Sequence, residues 1–339
     1  MIDLNITWFL LVGVLIIGYA IMDGFDLGVG VIQLFTKNKE EKKININSIG
    51  PVWDGNEVWL LTGGGALFAA FPIVYATVFS GFYLAFMLLL AALIFRAVSF
   101  EFRKYVVTEQ ARARWDMAFS IGSAVPALLY GVAFGNVLKG LPIDQSGRYW
   151  GTFISLLNPY SLLVGILSLV LFTMHGAIYL TLKTEGGQKE KMVAVINKLW
   201  IAFIVLYFLA TFATFFSAGF LFDGMLKNPV FWVLIIALFA CIVFIPVSVR
   251  AAKYGYAFLA SSVTIASMIL LAALSLFPRI VPSSINLDYS LTIYNAASSQ
   301  TTLFTMLIIA LLGMPFVIGY TIYIYRVFRG KTVITKESY

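Results

Sequence analysis

Pro51-Val-Trp-Asp-Gly-Asn-Glu-Val-Trp-Leu-Leu-Thr-Gly-Gly-Gly-Ala-Leu-Phe-Ala-Ala-Phe71 is the stretch that decides the fold. It is long and apolar enough to cross a bilayer as one helix, which takes about 20 residues. Its first two turns nevertheless carry Trp53, Asp54, Asn56, Glu57 and Trp59. Asp54 and Glu57 stand three residues apart, so on a helix they share a face. Carboxylates inside a membrane helix are costly, turn towards protein or water, and mark function by default.

The surrounding chain has the composition of a membrane protein. Of its 339 residues 61% are hydrophobic and 12% charged, against about 45–50% and about 25% in a soluble domain. The net charge of +7 is not a nucleic-acid signal, because the basic residues sit in short links between apolar runs. Cys241 stands alone and cannot form an internal disulfide. Met1-Ile-Asp3 lacks the basic start of a secretory signal, and the apolar run after it reads as a first, retained span.

Nine spans are predicted, over residues 6–35, 51–71, 78–102, 115–138, 159–182, 193–222, 229–249, 254–278 and 300–328. Together they make one all-α, multi-pass membrane domain over residues 1–339. Lys37, Lys39, Lys42 and Lys43 lie between the first two spans. Arg103, Lys104, Arg112 and Arg114, then Lys183, Lys189 and Lys191, then Arg250 and Lys253 occupy alternate later links. The opposite links hold only Lys139, Arg148, Lys227 and Arg279. The positive-inside rule then puts the N-terminus outside and the C-terminus in the cytoplasm. The long external links, 139–158 and 279–299, read as polar caps or as partner contacts.

The intramembrane charges converge on one depth. Asp23 and Asp26 follow some 25–30 Å of rise along the first span, at about 1.5 Å per residue. Asp54 and Glu57 open the second. Arg96 and Glu101 close the third, and His175 falls late in the fifth. Asp23, Asp26, Asp54, Glu57, Arg96 and Glu101 are therefore expected to form one polar cluster in the cytoplasmic third of the bilayer. Such a cluster suits proton uptake or a polar head-group site; the plainer reading is a network that locks helices together. His175, the only histidine, reads as a satisfied core or interfacial side chain. With one histidine the chain cannot supply a histidine pair to a haem. Gly24, Gly28 and Gly30, with Gly63, Gly64 and Gly65, suit close approach of helices.

Several segments carry a family resemblance. Gly18-Tyr-Ala-Ile-Met-Asp-Gly-Phe-Asp-Leu-Gly-Val-Gly30, Ile46-Asn-Ser-Ile-Gly-Pro-Val-Trp-Asp-Gly-Asn-Glu-Val-Trp-Leu60, Phe95-Arg-Ala-Val-Ser-Phe-Glu-Phe-Arg103 and Phe277-Pro-Arg-Ile-Val-Pro-Ser-Ser284 resemble subunit II of the cytochrome bd-type quinol oxidases, in order and nearly end to end. The resemblance implies two four-helix bundles plus one peripheral helix. It implies a heterodimer with a subunit I that carries two b-type haems, one d-type haem and the quinol-oxidising loop, while this chain binds no haem. It implies oxidation of quinol, reduction of dioxygen to water, proton uptake from the cytoplasm, and a place in a bacterial or archaeal cell membrane. Asp54 matches the family's proton-route acid, which makes Asp23, Asp26, Asp54, Glu57 and Glu101 the candidate proton path. Trp53, Asp54 and Arg96 match positions where a quinone sits in some members, although a lipid would fit the same groove. Whether a small single-span subunit joins, and whether the quinol is ubiquinol or menaquinol, stays open at this point. No metal or nucleic acid is expected. A proton-coupled secondary transporter using the same carboxylates is the alternative.

Overall fold

The structure is a computed structural model and describes residues 3–334. The chain runs α1 (Leu4–Phe35), α2 (Lys39–Ile49), α3 (Trp53–Ala70), α4 (Pro72–Gly81), α5 (Tyr83–Phe102), α6 (Glu109–Lys139), α7 (Phe153–Leu156) and α8 (Pro159–Lys183). It continues through α9 (Gly186–Ser217), α10 (Pro229–Arg250) and α11 (Tyr254–Leu276) to a two-stranded antiparallel ribbon, β1 (Arg279–Val281) with β2 (Leu291–Thr292), and ends on α12 (Gln300–Val327). Several of the long helices start where a side chain can satisfy a free N–H group. Asp3 caps α1, Thr108 caps α6, Asn158 caps α8 ahead of Pro159, and Ser299 caps α12.

Among the described residues eight helices are long and apolar enough to span a bilayer, or nine if α3 and α4 count as one bent span. The span predicted over 51–71 appears as α3, and what the sequence reading did not foresee is the bend that follows it. α3 stops at Ala70, and α4 leaves it at 120°. Pro72 explains the break. It has no N–H for the α3 ladder, it disfavours helical geometry at Phe71, and its fixed φ suits the first turn of a new helix. Phe71 sits at φ −132° and ψ 63° with its side chain fully buried. The predicted third span therefore begins at Tyr83, and residues 78–81 belong to α4. A second correction concerns the basic link after α1. Lys39–Ile49 is a helix, capped by Asn38, that turns Ile46 and Ile49 into the core.

Helix α1 is central. It packs against α3, α6, α8 and α11, while α5 pairs with α6, α8 with α9, and α10 with α11. At Gly28 its backbone touches that of α8: a Cβ there would lie 1.9 Å from the carbonyl oxygen of Phe172 and 3.0 Å from Cα of Gly176. Gly24 receives the Phe172 ring and Gly30 the Ser123 side chain. Gly64 and Gly65, expected to serve the same purpose, face open space. α12 is the most exposed of the long helices, with Leu303 its one buried residue.

Both ends of the assembly are closed by polar connections. Where α1 begins, the links 139–158 and 279–299 fold onto each other as a cap. Leu141 N–H donates to Pro282 O at 2.9 Å, Ser284 N–H to Leu141 O at 2.8 Å, and the Ser283 hydroxyl to Ile143 O at 2.6 Å. Leu141, Ile143, Val281 and Ile293 are buried beneath. In this cap the Ser146 hydroxyl and then the Trp150 indole hold the Asp144 carboxyl well below the usual carboxylate range.

Where α1 finishes, Asp116 of α6 accepts from Arg103 Nε at 2.6 Å and faces Lys42 Nζ at 3.4 Å and Gln33 Nε2 at 3.5 Å. Gln33 Oε1 accepts from Asn45 at 3.0 Å, and Asn45 Oδ1 from Gln188 at 2.9 Å. One network thereby joins α1, α2, α6, α9 and the turn after α5. Asp116→Ala should cost about 1–3 kcal/mol, because the buried Arg103 loses its acceptor. Thermal unfolding of the detergent-solubilised protein reads that loss.

Candidate functional site

The site starts from two aspartates of α1. Asp23 and Asp26 are three residues apart, so they lie on one face, and neither has solvent-accessible surface. A cation has to meet them, and α5 supplies it. Arg96, itself fully buried, donates to Asp23 Oδ1 at 2.6 Å and to Asp23 Oδ2 at 3.1 Å. This two-pronged arrangement is the strong form of an ion pair. Asp26 receives a neutral partner instead. Asn56 of α3 donates from Nδ2 to Asp26 Oδ2 at 2.7 Å and to the Met22 carbonyl at 3.2 Å. The Tyr325 hydroxyl of α12 donates to Asn56 Oδ1 at 3.0 Å. Asp26 Oδ1 and Arg96 Nε are buried and form no hydrogen bond among the described residues.

Burial is graded along α3. Asp54 is exposed, Glu57 is half-buried, and Asn56 is buried against Asp26. Glu57 lies within electrostatic reach of Arg96, Asp23 and Asp54. The predicted cluster is therefore corrected in part. Asp23, Asp26, Arg96 and Glu57 come together, and Asp54 stands at the surface next to them. Glu101 instead pairs with Lys104 at 2.7 Å near the end of α5. The one-turn advance from Arg96 carries Glu101 past the apolar depth, to where a lysine meets it. Trp53 stacks on Phe100 at 5.2 Å, and Phe100 meets Phe119 edge-on at 5.6 Å. Arg96 lies sealed behind, so Trp53, Asp54 and Arg96 do not present one common surface.

His175 is a core residue. Its Nε2 faces the Ile21 carbonyl at 3.1 Å and its Nδ1 the Ser261 hydroxyl at 2.6 Å, while its ring stacks on Phe258 at 4.6 Å. A neutral ring with the proton on Nε2 satisfies both contacts. It offers no open nitrogen to an iron, so its surroundings do not fit a haem. No group of three His, Cys, Asp or Glu side chains suited to a metal occurs among the described residues. The Tyr19 hydroxyl donates to that of Tyr130 at 2.7 Å. Both rings border an apolar cavity of about 470 Å³, lined also by Trp59, Phe79, Phe134 and Leu171.

Tyr325 is the site residue that sequence reasoning missed. It lies in a run of aromatic residues, Tyr320, Tyr323 and Tyr325, that reads as an interfacial belt. The run gives no sign that one of the three turns inward to an amide.

The sequence family described as cytochrome bd terminal oxidase subunit II matches residues 4–328. The chain belongs to this family. It is 40% identical over 370 residues to the cytochrome bd-I ubiquinol oxidase subunit 2 of Escherichia coli, covering 99% of this chain and 96% of that one. It is 38% identical over 339 residues to the cytochrome bd ubiquinol oxidase subunit 2 of Bacillus subtilis, covering 99% of each. A chain of the bd oxidase structure from Geobacillus thermodenitrificans has the same fold, with a TM-score of 0.81 at 18% identity, over 96% of this chain and 99% of that one. The bd oxidase subunit II described here is thus part of an oxidoreductase, and it is a multi-pass bacterial membrane protein. Family membership weighs against the transporter alternative.

Proposed function

We propose that this chain is the haem-free second subunit of a quinol:dioxygen oxidoreductase, and that it supplies cytoplasmic protons to a haem-bearing subunit I. In this reading α1, α3, α5 and α6 form one four-helix bundle and α8 to α11 a second. α12 lies outside both, the N-terminus is outside the cell and the C-terminus is cytoplasmic. The basic residues concentrated where α1 finishes support that orientation. The packing of α1 with α3 and α6, and of α8 with α9 and α11, supports the two bundles. Two b-type haems and one d-type haem belong to the partner, which performs the oxygen chemistry.

One observation carries the proton reading. Two fully buried carboxylates stand on one face with a single buried guanidinium nearby, and Arg96 spends both terminal nitrogens on Asp23. Asp26 is left with an amide on one oxygen and, among the described residues, no hydrogen-bond donor on the other. A buried acid without a cation of its own is costly as glue; as a stop for a proton it has a use. Asp54 at the surface, Glu57 half-buried and Asp26 at the bottom form an inward series. Asp23 holds Arg96 in place, and Glu101 with Lys104 stands at the cytoplasmic rim. A quinone or lipid head group would meet Trp53 and Asp54 at the surface, with the isoprenoid or acyl tail outside the sealed Arg96.

The test is quinol-driven oxygen consumption by the purified complex, normalised to haem. Asp26→Asn keeps shape and hydrogen bonding but carries no proton. It should lower turnover about tenfold or more, the range of a lost acid–base group, with haem content unchanged. Asp54→Asn should lower it less, because water can stand in for an exposed acid. Normal turnover in both would leave the acids as structural parts only.

A further inference from the structure

We propose that Tyr325 is a positioning residue for Asp26, through which the outlying helix α12 sets how Asp26 exchanges its proton. The inference rests on the proton reading above and adds a residue from an element that reading leaves idle.

The geometry is a three-part chain. The Tyr325 hydroxyl donates to Asn56 Oδ1 at 3.0 Å, and Asn56 Nδ2 donates to Asp26 Oδ2 at 2.7 Å. An amide presents a carbonyl edge and an NH2 edge. A donor on the carbonyl edge keeps the NH2 edge on the carboxylate, and it polarises the amide so that its own donation strengthens. A donor to a carboxylate favours the charged form. This bond therefore contributes, beside Asp23 and Arg96, to how readily Asp26 lets its proton go. The groups facing Asp26 are Asp23 on its own helix, Asn56 and Glu57 on α3, Arg96 on α5, Tyr179 on α8 and Tyr325 on α12. Of these, only Asn56 is hydrogen-bonded to it.

α12 is tied down at its ends, and between them only half-buried side chains such as Met306, Leu307 and Ile324 meet the core. Near its start the Trp8 indole donates to Leu303 O at 2.8 Å. Beyond its finish, Lys183 Nζ donates to Phe328 O at 2.6 Å, and Lys331 Nζ donates to Thr184 O at 2.8 Å and Thr181 O at 3.2 Å. These reciprocal lysine contacts tie α12 to the end of α8, one turn from Tyr325. A helix needed only to fill the membrane would not require a half-buried tyrosine aimed at the amide that touches Asp26.

The test is a double-mutant cycle in the intact complex with its haem-bearing partner. Oxygen consumption per haem and its solvent-deuterium isotope effect are measured for the native complex, Tyr325→Phe, Asp26→Asn and the double variant. Tyr323→Phe, exposed on the same helix, controls for disturbance of α12. Removing one hydroxyl should lower turnover about 3- to 10-fold, the worth of a single hydrogen bond. The isotope effect should grow, since proton exchange becomes slower, and Tyr325→Phe should add nothing in the Asp26→Asn background. A lost hydroxyl that merely loosened the fold would act equally in both backgrounds and leave the isotope effect alone. If Asp26→Asn loses turnover while Tyr325→Phe is normal or additive, this inference is overturned and the proton reading stands. If Asp26→Asn turns over normally, the proton reading fails, and this inference fails with it.

Discussion

Arg96→Leu will destabilise the protein by about 3–5 kcal/mol, the cost of stripping one partner from a buried ion pair. Asp23 has no accessible surface, so its carboxylate would be left without water or cation. Asp26 is the next acid on the same face, and the two would then repel each other with no guanidinium between them. Arg96→Lys keeps the charge but not the fork that meets both Asp23 oxygens, and should recover only part of the loss. Replacing Asp23 and Arg96 together by leucine should be milder than Arg96→Leu alone, because two apolar side chains of similar size leave no charge stranded. Thermal unfolding of the four purified complexes orders them. Equal stability of Arg96→Leu and native protein would mean that Asp23 is not buried as described.

Gly28→Val is expected to cost about 3 kcal/mol, at the upper end of overpacking effects. The added Cβ would lie 1.9 Å from the Phe172 carbonyl oxygen, a backbone atom that cannot rotate away. α1 and α8 would have to separate. That shift would pull His175 Nε2 off the Ile21 carbonyl and displace Asp23 and Asp26, which lie on the turns just before Gly28. The haem content of the purified complex and its melting temperature should both fall. Gly64→Ala on α3 faces open space and should be neutral or slightly stabilising, as expected where alanine replaces glycine in a helix.

Much of this was legible in the sequence, and the reasons are specific. Asp23, Asp26 and Arg96 interrupt runs that are otherwise apolar, and helical rise alone brings them to one depth. Gly28 was legible only as one of a group of glycines suited to close helix approach, a group that also held Gly64 and Gly65, which face open space. The break at Phe71 was visible as Pro72, but hydropathy does not distinguish the end of a span from a bend within one. α2 was hidden because Lys39-Glu-Glu-Lys-Lys43 reads as a polar link, and its buried face consists of little more than Asn45, Ile46, Ser48 and Ile49. The rotation of α3 was beyond reach. Nothing in Trp53-Asp-Gly-Asn-Glu57 says that Asn56 turns inward while Asp54 turns out; the choice follows from packing against α1. Tyr325 was hidden for the same reason, since only the placement of α12 selects it from its aromatic neighbours.

The most direct measurement is cytoplasmic proton uptake during a single oxygen reaction of the reduced complex, followed with a pH dye beside the haem absorbance. Delivery through Asp26 predicts that Asp26→Asn binds oxygen at the native rate, then takes up protons about tenfold more slowly or worse. Native uptake kinetics in Asp26→Asn would contradict it and leave the buried acids as a helix lock.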